Sequence, residues 1–310
     1  MQHYFIRRLI MMIPLMLLIS FVAFSLMNLV PSDPAETMLR INNITVTDEA
    51  VKEARQALGL DKPFLLRYAL WLYALLQGDL GKSFLSNQNV WDEITQAFPA
   101  TFYLAVTAFA VIFLLSLTLS LLCMLMLNSL WDKIIRGILF FFTALPNYWL
   151  ALLFIWLFSV RLNWLPSNGL EQKSGIILPA LTLSLGYIGV YVRLLRGAML
   201  NQLQQPYVFY ARTRGLSEKQ ILFKHILQNS LHTSYIAMGM SIPKLLAGSV
   251  IIENIFALPG LGRLCIQAIF GRDYPVIQAY ILLMAMLFLV GNFVIDWLQH
   301  RRDPRIKRGY

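Results

Sequence analysis

The sequence predicts an all-α integral membrane protein whose chain crosses the bilayer six times. Three observations carry that prediction. Of the 310 residues, 58% are hydrophobic and only 14% charged, whereas a soluble globular chain carries roughly a quarter charged residues. Apolar runs of about 20 residues, enough to cross a ~30 Å hydrocarbon core, recur along the chain. Lipid offers no partner for free peptide groups, so each such run is expected to be a helix. The runs are Leu9–Val30, Ala100–Leu127, Gly137–Val160, Ile176–Val192, Leu231–Ile252 and Val276–Leu298.

The first run follows Arg7 and Arg8 and so has the look of a secretory signal. It lacks an A-x-A-like cleavage site and is followed by five further runs, which favours a retained span. Residues 31–98 then form a polar outer segment with helix-like stretches at Asp48–Leu58 and Pro63–Leu76, punctuated by Gly59, Pro63, Gly78 and Gly81. That segment is too small to be read as a separate domain. With no internal repeat and no low-complexity linker, residues 1–310 read as one membrane domain. GDLGKS (Gly78–Ser83) ends like a phosphate-binding loop, but the required first glycine falls on Leu76. Nucleotide binding in this chain is therefore not expected.

Charge sets the orientation. Fifteen of the 26 Lys and Arg lie before the first run, around Asp132–Arg136, in the segment 193–230, and in the tail from Gln299. The opposite side holds 12 of the 16 acids. Basic short loops face the cytoplasm, so both termini are expected there. The net charge of +10 is thereby explained by orientation and attraction to anionic lipid, without nucleic acid. Cys123 sits within a run and Cys265 in an outer loop, and His3, His225, His232 and His300 are scattered. No disulfide framework or metal site is expected.

Residues 207–231, YVFYARTRGLSEKQILFKHILQNSL, interrupt the apolar pattern. Pro206 suits a first helical position, and Gly215 suits the left-handed residue that closes a helix. Ser217 with Gln220 forms a capping-box pattern that opens the next helix. Ile221, Leu222, Ile226 and Leu227 give that helix an apolar face, while Arg212, Arg214, Lys219 and Lys224 hold the pair at the cytoplasmic surface. The pattern alone fits equally a knob for a cytoplasmic partner and an interfacial helix lying on headgroups.

A-R-T-R-G-L-S with H-I-L-Q-N-S (Ala211–Ser230) resembles the coupling motif of ABC-importer permeases of the dipeptide, oligopeptide and nickel family. The stretches PSDPA, LGLDKPFLLRY, GDLGKS, FPAT, ALPNYWLALL, ENIFALPGLGR, RDYPVIQA and the DPR of the tail resemble the same family and run in family order along the chain. The resemblance implies a multi-pass permease of the bacterial inner membrane that performs no catalysis itself. It would pair with a second, homologous permease, with two cytoplasmic ATPases that hold ATP and Mg, and with an outer solute-binding protein. The chain itself would carry no cofactor. ATPase coupling would then fall on Ala211, Arg212, Arg214, Gly215, Leu216, Ser217, Lys219 and His225. Phe209 and His232 depart from the family pattern, which often has Glu and Pro near these positions. The cargo resemblance is to the nickel and metal-chelate branch, with dipeptides or oligopeptides as the alternative.

Lys244 falls about halfway along the fifth run, where a charge costs roughly 2.5–3.5 kcal/mol on insertion scales. It is a candidate for lining the pathway and favouring anionic cargo; the competing reading is snorkelling, or a pair with a partner's acid. Pro243 loosens the helix there. Asn147 and Tyr148 follow Pro146 and read as helix repair with packing, or as solute contacts. Glu253, Pro259, Gly260, Gly262 and Arg263 form a candidate outer gate or binding-protein docking surface, with Glu253 and Arg263 a possible pair; a plain structural turn is the other reading. Trp164, Tyr187, Tyr191 and Trp297 read as interface anchors, and Asp296 as the partner of a neighbouring Arg. An ion-coupled secondary transporter would show inverted repeats or acids at span centres. An intramembrane enzyme would need a positioned nucleophile or metal cluster. Neither pattern is found.

Overall fold

The computed structural model describes residues 2–29, 33–42, 44–169 and 173–302. The first two residues of PSDPA and the DPR of the tail lie outside them, as does the side chain of His232. The described chain is helical apart from an isolated antiparallel bridge between Lys82 and Asn89. Its contacts divide it into two compact units, residues 1–101 with 259–293, and residues 102–258 with 294–310.

The first unit begins with α1 (Gln2–Leu29) and three shorter helices, α2 (Pro34–Ile41), α3 (Asp48–Ala57) and α4 (Phe64–Leu76). Asp33 caps α2 and binds Arg55 of α3 at 2.8 Å, which ties these polar helices together. The apolar α4 lies on α1 through an aromatic cluster of Phe21, Phe24, Phe64, Tyr68 and Trp71. Arg67 donates to Asn28 Oδ1 at 2.6 Å within that cluster. The start of α5 (Val90–Leu125), α13 (Leu261–Gly271) and the start of α14 (Tyr274–Arg302) share a core of Val90, Ile94, Leu261, Ala268, Val276 and Ile277. Cys265 is buried in α13, not placed in a loop as expected. GDLGKS proves to be a structural strap, because Ser83 Oγ donates to the buried Asp273 carboxylate and the Leu85 N–H does so at 3.2 Å.

The second unit is organised around α8 (Ile177–Leu203), which packs against α6 (Leu130–Ala144), α7 (Asn147–Phe154), α11 (Leu227–Gly239) and α12 (Ile242–Ile255). Gly189 is required for the α6 contact. A Cβ there would stand 2.3 Å from Thr143 Oγ1 and 2.9 Å from the Leu139 carbonyl. Tyr191, expected as an interface anchor, is buried instead, and its hydroxyl donates to the Ala237 carbonyl at 3.2 Å. Trp164 and Trp297 are exposed.

Two of the six runs expected as single helices are interrupted. Among the described residues, four helices, α1, α5, α8 and α14, are long and apolar enough to cross a membrane, and a bent pair raises the number to five. That pair is α6 and the segment Asn147–Arg161, which is α7 with the π turn after it; the two are bent by 104° where one run, Gly137–Val160, is expected. Pro146 removes an N–H and pushes the residue before it to extended backbone; Leu145 has φ −80° and ψ 139°. The run Leu231–Ile252 is divided between α11, the last part of a longer helical stretch, and the 14-residue α12, which is shorter than the ~20 residues a crossing needs. The break at Met240–Ser241 lies just ahead of Pro243, which as the second residue of α12 lacks an N–H to continue the ladder from α11. The fourth run extends as α8 to Leu203, so the first third of the predicted loop 193–230 is helix.

Candidate functional site

The polar stretch after α8 folds as an elbow. Pro206 occupies the first turn of α9 (Pro206–Thr213). The helix ends in a Schellman turn: the Leu216 N–H reaches the Ala211 carbonyl at 3.2 Å and the Gly215 N–H reaches the Arg212 carbonyl at 2.9 Å. Gly215 sits at φ +77°, and a Cβ added there would meet nothing, so conformation alone demands glycine. Ser217 and Gln220 then cap α10 (Glu218–Ile221) reciprocally, as their spacing predicts. A π turn, Leu222–Ile226, carries α10 into α11 without a break. Helical backbone thus runs from Glu218 to Gly239, a rod of about 30 Å at 1.5 Å per residue.

One face of the elbow is anchored. Val208, Ala211, Ile221, Leu222 and Ile226 are buried with Met124 of α5 and Met199 of α8, and Leu216 packs on the cluster half-buried. Tyr207 donates to Gln202 at 2.7 Å, and its ring lies 6.5 Å from that of His225, which is half-buried. The opposite face is open. Arg214, Ser217, Lys219 and Lys224 are exposed, and Phe209 and Tyr210 present aromatic rings at 66% and 65% exposure. Arg212 donates two hydrogen bonds to Glu218, at 2.8 and 3.1 Å, bracing α9 against α10. Those hydrogen bonds hold the Glu218 carboxyl below the usual carboxylate range. The result is a rigid, basic and aromatic projection on an apolar root.

Lys244 lies in the first turn of α12, just past the break. A cation there opposes the helix dipole, so it does not serve helix stability. It is exposed on a stripe with Ala247, Gly248, Ile251 and Asn254, while Leu245, Leu246, Ser249, Ile252 and Glu253 are buried. Asn147 Oδ1 packs against Gly186 at 3.1 Å from where a Cβ would stand, and Tyr148 is exposed. Their helix, α7, packs on α12.

Of the expected outer group, Glu253 is fully buried and accepts a hydrogen bond from Ser249 at 2.6 Å. The turn after it places Ala257, not a glycine, at φ +51°. Pro259 is exposed, Gly260 caps α13, Gly262 is buried in it, and Arg263 lines an open groove of about 530 Å³ with Gln88, Glu93, Gln96 and Gln267.

One cluster escaped the sequence reading. Asp132, fully buried, accepts from Arg136 at 3.1 Å and from Arg196 at 2.8 Å, locking α6 to α8. The Asp132–Arg136 spacing of four was visible as a helical pair; its partner 64 residues on was not.

Residues 116–308 match the family described as binding-protein-dependent transport system inner membrane component, and residues 1–105 match its N-terminal counterpart. The chain belongs to this family. It is an ABC-importer permease of the peptide and nickel type, a multi-pass membrane protein. The permease is 36% identical over its whole length to the metal-staphylopine import system permease CntB of Staphylococcus aureus, covering 99% of that protein. It is 35% identical to the di/tripeptide transport permease DppB of Pseudomonas aeruginosa, with 99% of each chain covered. Its fold matches an inward-facing MetNI methionine ABC transporter with a TM-score of 0.57 and 19% identity, over 67% of this chain and 95% of that one. That last likeness concerns the fold alone.

Proposed function

We propose that this permease pairs with a second, homologous permease to import a metal-chelate complex delivered by an outer solute-binding protein. Two cytoplasmic ATPases would grip the α9–α10 elbow and hydrolyse ATP with Mg, while this chain performs no catalysis. The observation that carries the proposal is the elbow itself, rigid at Gly215 and the Arg212–Glu218 brace, rooted in the core, and continuous with α11. A push on it travels along the rod to the break at Met240–Ser241, next to Lys244. Movement of a stiff element between two packings is the physical content of alternating access. Both termini and the elbow would lie on the cytoplasmic side, the reading that the distribution of Lys and Arg supports.

Lys244 and its stripe of small side chains would face the pathway or the second permease, where a lone cation favours a carboxylate-rich chelate. Full-length identity to a metal-staphylopine permease supports this cargo. Nearly equal identity to a di/tripeptide permease supports peptides as the second reading. The experiment is uptake by vesicles holding the whole assembly and its binding protein, supplied with radiolabelled nickel chelate or radiolabelled dipeptide. ATP-dependent entry of the chelate is expected, reduced severalfold by Lys244→Gln with the assembly intact. Entry of dipeptide alone would reverse the cargo assignment, and transport by this chain without ATPases would reject the importer mechanism.

A further inference from the structure

The second unit contains a cavity of about 610 Å³ between α6 and α8 that the import reading does not use. Lys133 and Arg136 of α6 face Arg193 and Arg196 of α8 across it. Asp132 occupies Arg136 and Arg196. Lys133 and Arg193 are exposed and hold no ion pair among the described residues. The cavity therefore keeps two cations with no ion pair among the described residues beside a carboxylate held by two arginines.

Its walls are built to stay open. Gly137 and Gly197 line it, and a Cβ at either would meet nothing within 4 Å. Glycine inside a helix is less stable than alanine, so neither position is optimised for helix stability. Phe140 lines the cavity, and Val190 and Leu194 lie on α8 one turn from its lining residues; all three are exposed apolar side chains. Leu130 and Trp131, at the start of α6, are exposed too, as suits a headgroup-level position. Cations at the mouth and hydrocarbon along the walls match a phospholipid, anionic at one end and apolar at the other. Basic pockets between transmembrane helices on the cytoplasmic side are where such headgroups bind.

We infer that this cavity holds an anionic phospholipid, its phosphate between Lys133 and Arg193 and its acyl chains along α6 and α8. The lipid would brace the α6–α8 pair whose far turns carry the bend at Pro146 and the elbow. This placement uses the proposed orientation but not the proposed cargo or drive.

The test places the purified assembly in nanodiscs of phosphatidylcholine containing a fluorescent phosphatidylglycerol probe, and measures probe retained per permease. Retention above that of a phosphatidylcholine probe is expected. The Lys133→Gln/Arg193→Gln pair should lower it about thirtyfold, given roughly 1 kcal/mol per basic residue near an anionic surface. Lys133→Arg/Arg193→Lys should restore it. Gly197→Leu, whose Cβ would meet nothing within 4 Å, should lower retention by occupying the cavity while keeping every charge. Equal retention of the two probes, or an unchanged Lys133→Gln/Arg193→Gln variant, would overturn the inference. So would displacement of the probe by inorganic phosphate, which marks a small-anion site. A photo-crosslinker at position 197 that captures a partner subunit instead of lipid would show a protein interface and overturn it equally.

Discussion

Two turns in the second unit share one hydrogen-bond pattern and differ in the residue at their centre. At the elbow, the Leu216 N–H returns to Ala211 and the Gly215 N–H to Arg212. After α12, the Leu258 N–H returns to Glu253 at 2.8 Å and the Ala257 N–H to Asn254 at 3.3 Å. Both central residues are left-handed, Gly215 at φ +77° and Ala257 at φ +51°. A left-handed L-residue costs roughly 1–2 kcal/mol, and only the second turn bears that cost. Its surroundings explain why it can. Phe256 and Leu258 are buried, and the Phe256 carbonyl accepts from the Gly169 N–H at 3.0 Å, so packing over-determines the backbone. The elbow's turn stands in solvent with nothing around it to hold a strained residue. At the exposed elbow, glycine avoids the cost; at the bend after α12, the packing of Phe256 and Leu258 on either side of Ala257 offsets it.

The comparison breaks most completely if the elbow loses its root. Ile221 is fully buried beneath α10, and truncating such a side chain costs about 2–5 kcal/mol. Ile221→Ala should therefore lower the apparent melting temperature of the purified assembly and release the ATPases on copurification. Retention of both at wild-type levels would show that the elbow is not held by its apolar face. The next largest effect strikes the turn directly. Gly215→Val places a β-branched residue at positive φ and should cost at least ~1–2 kcal/mol locally. The expected readout is loss of ATP-driven uptake with the chain still inserted and folded. Since a side chain at 215 meets empty space, full activity in this variant would mean that the left-handed turn is dispensable.

How much of this was legible follows from which signals are local. Pro206, Gly215 and the Ser217–Gln220 box are short-range chemistry, and the elbow forms as their spacing predicts. The left-handed Ala257 left no trace, because alanine carries no turn signal; Pro259, Gly260 and Gly262 drew the eye a few residues too late. The bend at Pro146 was written in the sequence but overruled by the continuity of the apolar run, which says nothing of direction. Lys244 stands out in the sequence as a charge within an apolar run, yet the exposed stripe it heads with Ala247, Gly248 and Ile251 shows only against the neighbours of α12. Asp132 and Arg196, and likewise Ser83 and Asp273, are pairs made by tertiary packing. No one-dimensional pattern links residues that far apart.

The mirror-image swap sharpens the contrast at smaller cost. Ala257→Gly should relieve the left-handed strain, a gain of about 1–2 kcal/mol, against 0.4–1 kcal/mol of extra unfolded-chain entropy. A modest rise in melting temperature is expected, where Gly215→Ala gives a fall. If both swaps shift stability in the same direction, packing around Ala257 rather than its φ governs the second turn.

The smallest effect concerns the brace across the elbow. Hydrogen bonds from Arg212 hold the Glu218 carboxyl below its ordinary range, so the native state favours the ionised form more than the unfolded chain does. Linkage then fixes the sign: the brace's contribution is complete above the ordinary glutamate range and disappears as pH falls through the lowered folded value. Both partners are exposed, and salt screens them. Glu218→Gln should accordingly weaken ATPase docking slightly at neutral pH and low salt, and match wild type in acid or in high salt. A docking difference that survives acidification would assign Glu218 a direct contact with the ATPase. The rigidity of the elbow would then rest on Gly215 and the capping box alone, which makes the glycine turn the more fundamental of its two devices.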